Sequence, residues 1–295
     1  MEATICKHTF LPDIPSASGI EIVNDQIYVI GDDSNFLYIL DRDFSIVNQV
    51  NLYEANNKIG QKIAKKHKYD LEAITAFDYE NELQILVLGS GSNQKREVGF
   101  ILKLNFEVID VSTYISNIYN ELGKALLDAN VLNIEGLAAD ENSIYILHRG
   151  NISKNNILFE IDKSEFIGYL LNSQMQLPSI KMNAFSLPSI NGILAGFSGC
   201  CVVPNTKILL FCAAVENTDN EINDGEILGC FVGMIDLSNR LDIKITNIKF
   251  EDGFLYKGKL ESIAILKSDE KHVYALGVSD MDGGISELVE IEIKL

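Results

Sequence analysis

The chain has 295 residues, 47% of them hydrophobic and 22% charged, which supplies ample apolar material for a core. Its 24 basic against 42 acidic side chains leave a formal charge of −18, which opposes nucleic acid and anionic lipid as partners over the whole surface. No apolar run approaches the ~20 residues of a membrane span, and Met1-Glu2-Ala3-Thr4 lacks the basic and apolar segments of a signal peptide; the expectation is a cytoplasmic protein, or an exported one whose signal peptide is absent from this sequence.

Residues 4–11 read as a strand. A unit then opens at Ser18-Gly19-Ile20 and continues through the turn Asn24-Asp25, Gln26-Ile27-Tyr28-Val29-Ile30 and Phe36-Leu37-Tyr38-Ile39-Leu40-Asp41. These runs are rich in β-formers and are bounded by turn residues. The same order recurs after Asp70-Leu71-Glu72-Ala73, Asn133-Ile134-Glu135-Gly136, Gly196-Phe197-Ser198-Gly199 and Lys259-Leu260-Glu261-Ser262. Glu72, Glu135, Ser198 and Glu261 stand 63 residues apart, and Ser18 lies 54 before Glu72. A fixed period means one structural unit repeated. Each unit reads as four short strands; in the third, the fourth strand is expected near 166–171. The one helix-like stretch is 115–127. The basic run 62–68 reads as a solvated loop. The five cysteines form no CxxC pair and read as buried thiols of a reducing compartment.

Four-stranded sheets repeated radially make a β-propeller, which protects its strand edges by closing the ring. The expected fold is therefore all-β: a single five-bladed propeller over 1–295, with repeats near 18–71, 72–134, 135–197, 198–260 and 261–295. The last repeat lacks a fourth strand, and 4–11 is expected to complete it beside 287–293.

In such a ring the first strands line the axis, so Ser18, Glu72, Glu135, Ser198 and Glu261 should converge. At ~6 Å and an effective dielectric of ~20, each carboxylate pair costs about 3 kcal/mol. Protons or a cation must relieve this. An oxygen-only set suits a hard ion, Ca²⁺ more readily than Mg²⁺; a water-filled channel with glutamates bonded to backbone N–H groups is the alternative. The loops between second and third strands share that face. They are Gly31 to Asn35, Gly89 to Glu97, His148 to Asn151, Glu216 to Asp219 and Ser279 to Gly284. In them Arg96, His148 and Arg149 are candidate ligand-binding residues for an anion. Asp33, Glu216 and Asp280 are candidate catalytic carboxylates that position water.

At these residues the sequence resembles the calcium-activated nucleotidases, the apyrase family of five-bladed propellers. The resemblance rests on the serine–glutamate–glutamate–serine–glutamate order at Ser18, Glu72, Glu135, Ser198 and Glu261, and on Gly196-Phe197-Ser198 and Val203-Pro204-Asn205-Thr206. It implies a Ca²⁺ on the axis. The Glu-Ala-Ile and Glu-Gly-Leu openings also resemble phytase-like and esterase-like propellers. Two functions stay open. One is a calcium-dependent hydrolase of phosphoanhydride or phosphoester substrates. The other is a non-catalytic propeller with structural calcium, binding a protein or small anionic ligand on its loop face. A monomer is expected.

Overall fold

The computed structural model describes residues 1–55, 58–59, 62–126, 131–150, 155–172, 175–217, 225–239, 242–281 and 285–295. Strand β1 (Glu2–Leu11) comes first. A first unit follows as β2 (Ala17–Val23), β3 (Gln26–Gly31), β4 (Phe36–Leu40) and β5 (Ile46–Asn51), with the short pair β6 (Lys58–Ile59) and β7 (Lys62–Ile63) after it. The second is β8 (Leu71–Tyr79), β9 (Glu82–Gly89), β10 (Gly99–Lys103) and β11 (Val108–Asp110), followed by helix α1 (Ser112–Ala125). The third is β12 (Ile134–Ala139), β13 (Ser143–His148), β14 (Asn156–Asp162), helix α2 (Lys163–Leu171) and β15 (Ile180–Phe185), with the short pair β16 (Ser189–Ile190) and β17 (Ile193–Leu194). The fourth is β18 (Gly196–Val202), β19 (Ile208–Asn217), β20 (Glu226–Asp236) and β21 (Ile243–Phe250). The fifth is β22 (Lys259–Ser268), β23 (His272–Met281) and β24 (Ile285–Lys294).

Within each unit the strands pair antiparallel in chain order. Tight turns set the registers. Asn24 and Asp25 have φ of 48° and 66°, and Glu80 and Asn81 have 51° and 66°, the left-handed pair that a two-residue hairpin needs. Elsewhere an aspartate closes the turn: Asp140 Oδ1 accepts from the N–H of Asn142 and of Ser143, both at 2.8 Å.

β1 pairs antiparallel with β24, Ala3 opposite Ile293 and Phe10 opposite Glu287, so the chain start completes the fifth unit. Separate four-stranded sheets are not what forms at this place. β1 also pairs in parallel with β21 at Ala3–Ile248, Thr4–Lys249 and Ile5–Phe250. The fourth and fifth units are thereby one eight-stranded sheet, beside three of four strands. Ala3, Thr4 and Ile5 pair on one side with β24 and on the other with the open edge of β21.

The first strands β2, β8, β12, β18 and β22 each touch the next, and β22 touches β2 again. Apolar layers fill the gaps between successive units in the same cyclic order. Leu37 packs with Val87, Leu88 with Ile146, Leu147 with Phe211, Cys212 with Val289, and Leu276 with Val29 in their respective layers. Consecutive residues such as Val87 and Leu88 serve opposite layers, which is why these strands read as unbroken apolar runs.

One expectation on helices is corrected. Residues 163–171 form α2, not a fourth strand. Asp162 Oδ1 accepts from the Glu165 N–H at 2.9 Å, an N-cap, and Phe166, Ile167 and Leu170 then fall on one buried face. The fourth strand is β15, with Met182 opposite Phe159. Helix α1 matches the expected stretch, with Ile115, Ile118, Tyr119 and Leu122 buried; Leu127 lies outside the described residues. Cys200, Cys201, Cys212 and Cys230 are buried free thiols, and Cys6 is exposed. No helix among the described residues is long and apolar enough to cross a membrane.

Candidate functional site

Each first strand carries a β-bulge near its start. The register shifts between Ala17 and Gly19, Leu71 and Ala73, Ile134 and Gly136, Phe197 and Cys200, and Leu260 and Ser262. The residues within these bulges are Ser18, Glu72, Glu135, Ser198 with Gly199, and Glu261. A bulge re-aims one side chain out of the pleat, and the charges of Glu135 and Glu261 act on Glu72. The small residue that follows has its own cause. A Cβ on Gly136 would stand 2.8 Å from the Ser198 carbonyl oxygen, and one on Gly199 would stand 2.4 Å from Ser262 Cα. Adjacent first strands approach too closely there for a side chain.

The five axial residues are not equivalent. Ser18 Oγ donates to the Leu71 carbonyl at 2.5 Å. Ser198 is fully buried and its Oγ has no partner. Glu135 Oε1 accepts from Asn133 Nδ2 at 2.7 Å, and Glu261 Oε1 lies 2.9 Å from Lys259 Nζ. Among the described residues, no hydrogen bond or ion pair reaches Glu72. Burial raises its pKa well above the usual range, and Asp70, Glu135, Asp32 and Glu261 add to the rise. Burial also lifts Glu135 to about 7 against the pull of Arg149.

Around the axis the loop face carries two arcs of charge. The first belongs to units one and two. Lys68 Nζ meets Asp32, and lies 3.1 Å from both Asp33 Oδ1 and Asp70 Oδ1. Lys62 Nζ lies 3.3 Å from Asp33 Oδ2 and from Ser16 Oγ, while Arg96 Nη1 lies 2.7 Å from Asp70 Oδ2. Burial alone would lower the Lys68 pKa; its three aspartates raise it. Burial pushes Asp32 up to about 7 despite Lys68. It would raise Asp33 too, but Lys68, Lys62 and Ser16 outweigh it and hold Asp33 low.

The second arc joins units three, four and five. Arg149 Nη2 lies 3.1 Å from Glu216 Oε2, and Nη1 lies 3.7 Å from Glu135 Oε1. Lys259 bridges Glu261 at 2.9 Å and Glu216 at 3.6 Å. The Gly225 N–H donates to Glu216 Oε1 at 2.8 Å. Burial opposes ionisation of Glu216, yet Lys259 and Arg149 keep its pKa low. Two carboxyls stand outside both arcs. One is Glu72. The other is Asp280, raised to about 6 by burial and then by Glu261, with Oδ1 unpartnered and no ion pair among the described residues. Eight carboxyls thus meet five cations, and each of the five cations already has a carboxylate partner.

A family described as "Family of unknown function (DUF6929)" matches residues 13–293. The chain belongs to DUF6929. No curated protein matches it. Among solved structures, the glutaminyl cyclase of Myxococcus xanthus is similar at a TM-score of 0.50 and 9% identity, over 99% of this chain and 97% of that one. An α-L-arabinanase mutant from Cellvibrio cellulosa has a TM-score of 0.48 and 10% identity, over 97% and 92%. A calcium-binding protein, regucalcin from Agrobacterium tumefaciens, has a TM-score of 0.39 and 12% identity, over 94% and 77%. The similar folds are propeller-like, and the DUF6929 chain is an all-β protein of that kind.

Several expected roles change in this DUF6929 chain. Arg149, expected as an exposed anion ligand, is 3% exposed and clamped between Glu135 and Glu216. Its stem lies across Gly196, where a Cβ would come within 2.7 Å. Arg96 is likewise held by Asp70 and Ser92. His148 is 1% exposed. Its Nδ1 accepts from the Asn133 N–H at 3.0 Å and burial lowers its pKa to about 4, while its buried Nε2 has no hydrogen-bond partner among the described residues. Lys62 and Lys68 belong to the charged face and not to a solvated loop. Asn151, Thr218, Asp219, Asp282, Gly283 and Gly284 of the expected loops lie outside the described residues.

Sequence reasoning assigned no role to Lys68, Asp70, Asn133 or Lys259. The last three share a signal: they stand two residues before a repeat glutamate, one and then two 63-residue periods apart.

Proposed function

We propose that this chain is a single-domain, five-bladed β-propeller over 1–295 that binds a divalent cation on its axis and uses the surrounding loop face to hold a ligand without transforming it. The eight-stranded sheet is then two blades joined along their outer strands. The observation that supports the cation reading is that all five first strands bulge at Ser18, Glu72, Glu135, Ser198 and Glu261, with the charges of Glu135 and Glu261 acting on Glu72. These residues fit such an ion. Among the described residues, Ser198 Oγ is a buried oxygen without a hydrogen-bond partner and Glu72 is a carboxyl without an ion pair. Asp32, Asp70 and Glu72 also bring carboxylate oxygens within 4.8 Å of one another. All the donors are oxygens, which favours calcium. When bound, the ion would supply positive charge that ties the blades together. The resemblance to the nucleotidases is consistent with this axial set. The test is metal analysis of dialysed protein and thermal melting with excess calcium against chelator. No bound metal and an unchanged melting point would remove the ion.

The charge count favours binding over phosphate hydrolysis. An anionic phosphate needs cations that are free to meet it, and Lys62, Lys68, Arg96, Arg149 and Lys259 are all committed to carboxylates. One observation favours a hydrolytic reading. Asp280, raised to about 6 with an unpartnered Oδ1, has the pKa of a general base near neutrality. Asp33 and Glu216 are held in ion pairs and lack that freedom. A screen of phosphate release from nucleotides and phosphoesters, with parent and Asp280→Asn, separates the readings. Release that depends on Asp280 would establish the hydrolase.

A further inference from the structure

Each axial residue has a companion two positions earlier: Ser16, Asp70, Asn133, Gly196 and Lys259. For the three glutamates the companion differs in charge. Asp70 stands before Glu72 and adds a second carboxyl to its surroundings. Asn133 stands before Glu135 and gives it a neutral donor at 2.7 Å. Lys259 stands before Glu261 and sets an ammonium 2.9 Å from it. One position of the repeat thus supplies an acid, an amide and an amine in turn. The local field at the three glutamates runs from strongly negative to nearly neutral.

We infer that Lys259 is a tethered cation that holds the Glu261 side of the axial site and sets its affinity for calcium low, leaving Glu72 and Glu135 as the main carboxylate ligands. The inference rests on the axial-cation reading above. Its physical basis is direct. An ammonium beside a carboxylate cancels the attraction that carboxylate would offer a second cation, and repels that cation as well. Lys259 also reaches Glu216 at 3.6 Å. Glu216 keeps Arg149 at 3.1 Å and the Gly225 N–H at 2.8 Å when Lys259 is removed. Glu261 is then released beside the site, while Glu135 loses a more distant attraction and keeps Arg149 and Asn133.

The experiment is calorimetric titration of the full chain with calcium chloride. Lys259→Met should bind calcium about tenfold or more tightly than the parent, on the scale of one removed unit charge nearby. Lys259→Arg, which keeps the charge, should stay near the parent value. A merely structural lysine would shift the melting point in chelator without tightening calcium binding. If the parent binds calcium and Lys259→Met binds it no more tightly, the inference is overturned while the axial ion stands. If neither binds at millimolar calcium, the axial reading falls and takes the inference with it. Should Lys259→Met fail to fold, the pair Glu72→Gln and Glu261→Gln decides. Glu72→Gln should lose about a hundredfold in affinity and Glu261→Gln about tenfold or less. Equal losses would overturn the inference.

Discussion

The two arcs on the loop face use the same residue types to different ends. In the first, Lys62, Lys68 and Arg96 meet Asp32, Asp33 and Asp70, three cations for three carboxyls. In the second, Arg149 and Lys259 meet Glu135, Glu216 and Glu261, two cations for three carboxyls. The first arc contains no axial residue, while the second contains two. The first is a closed clamp across two units. The second is one positive charge short. Glu72 groups its carboxylate oxygens with those of Asp32 and Asp70 of the first arc and has no ion pair among the described residues, so the uncompensated charge lies at the junction of the two arcs and a cation adds most there.

The largest expected effect breaks the clamp. Lys68→Met leaves Asp32 without its ion pair, beside a side chain only 7% exposed, while Asp33 keeps Lys62 and Asp70 keeps Arg96. Leaving buried charge unpaired costs about 3–5 kcal/mol, so urea unfolding should show a loss in that range. Arg149→Met leaves Glu135 with only the Asn133 amide, while Glu216 keeps Lys259 and the Gly225 N–H; it should cost less, and excess calcium should restore part of it. An Arg149→Met loss that exceeds that of Lys68→Met would reverse the ranking of the arcs.

The next effect fills the deficit. A ligand bound only to the folded chain stabilises it by about 2.7 kcal/mol at a concentration 100 times its dissociation constant. Calcium should therefore raise the melting point by several degrees, and Glu72→Gln should abolish the rise because Glu72 has no ion pair among the described residues. A full calcium response in Glu72→Gln would show that the ion binds elsewhere, for example at aspartates of the first arc.

Acidity separates the arcs more finely. Asp32 and Glu135 are raised to about 7 and Asp280 to about 6. A carboxyl raised in the folded state favours folding below its ordinary range, and that stability is lost as pH rises through the folded value. In chelator the melting point should fall between about pH 5 and about pH 7. Asp33 and Glu216 are held low, so their contribution is present above the ordinary carboxylate range and lost only on acidification below it. Calcium should flatten the part of the slope due to Glu135 and leave the part due to Asp32. Melting curves of Glu135→Gln across that range measure the share.

The repeat was legible because its cause is local. A bulge needs a residue to re-aim and a small residue after it, and Glu135-Gly136 and Ser198-Gly199 state both in two letters. The ring follows, since 63 residues is one unit. The pairing of β1 with β24 could be inferred from the missing strand. The further pairing of β1 with β21 could not, because it depends on how far two edges extend in space. Helix α2 was misread because Phe166 to Leu171 is apolar in both periods, and Asp162 as N-cap decides only once the helix exists. The charged face was half legible. Its carboxyls sit in the repeat, but Lys68 comes from a link between units, and nothing in a basic run distinguishes the one lysine that turns inward. Arg149 looked like a surface residue because its partners Glu135 and Glu216 are 14 and 67 positions away.

Glu21 offers a control outside both arcs, and the smallest predicted effect. It lies on β2, where Oε2 accepts from the Ala76 N–H of β8 at 2.9 Å and Oε1 accepts from its own neighbour Ile22 at 2.8 Å. No cation pairs with it among the described residues; burial raises its pKa while these backbone donors pull it down. It therefore joins two first strands by hydrogen bonds alone. Glu21→Gln keeps a carbonyl acceptor for Ala76 and removes a buried charge, so stability at neutral pH should change by less than about 1 kcal/mol. Glu21→Ala leaves the Ala76 N–H without an acceptor and should cost about 1–3 kcal/mol. Calcium should act equally on both variants and on the parent, because Glu21 lies outside the axial set. Urea unfolding with and without calcium tests this. A calcium response that weakens in Glu21→Gln would mean that charge on β2 reaches the axis, and the division between a charged face and a backbone-bonded interior would have to be redrawn.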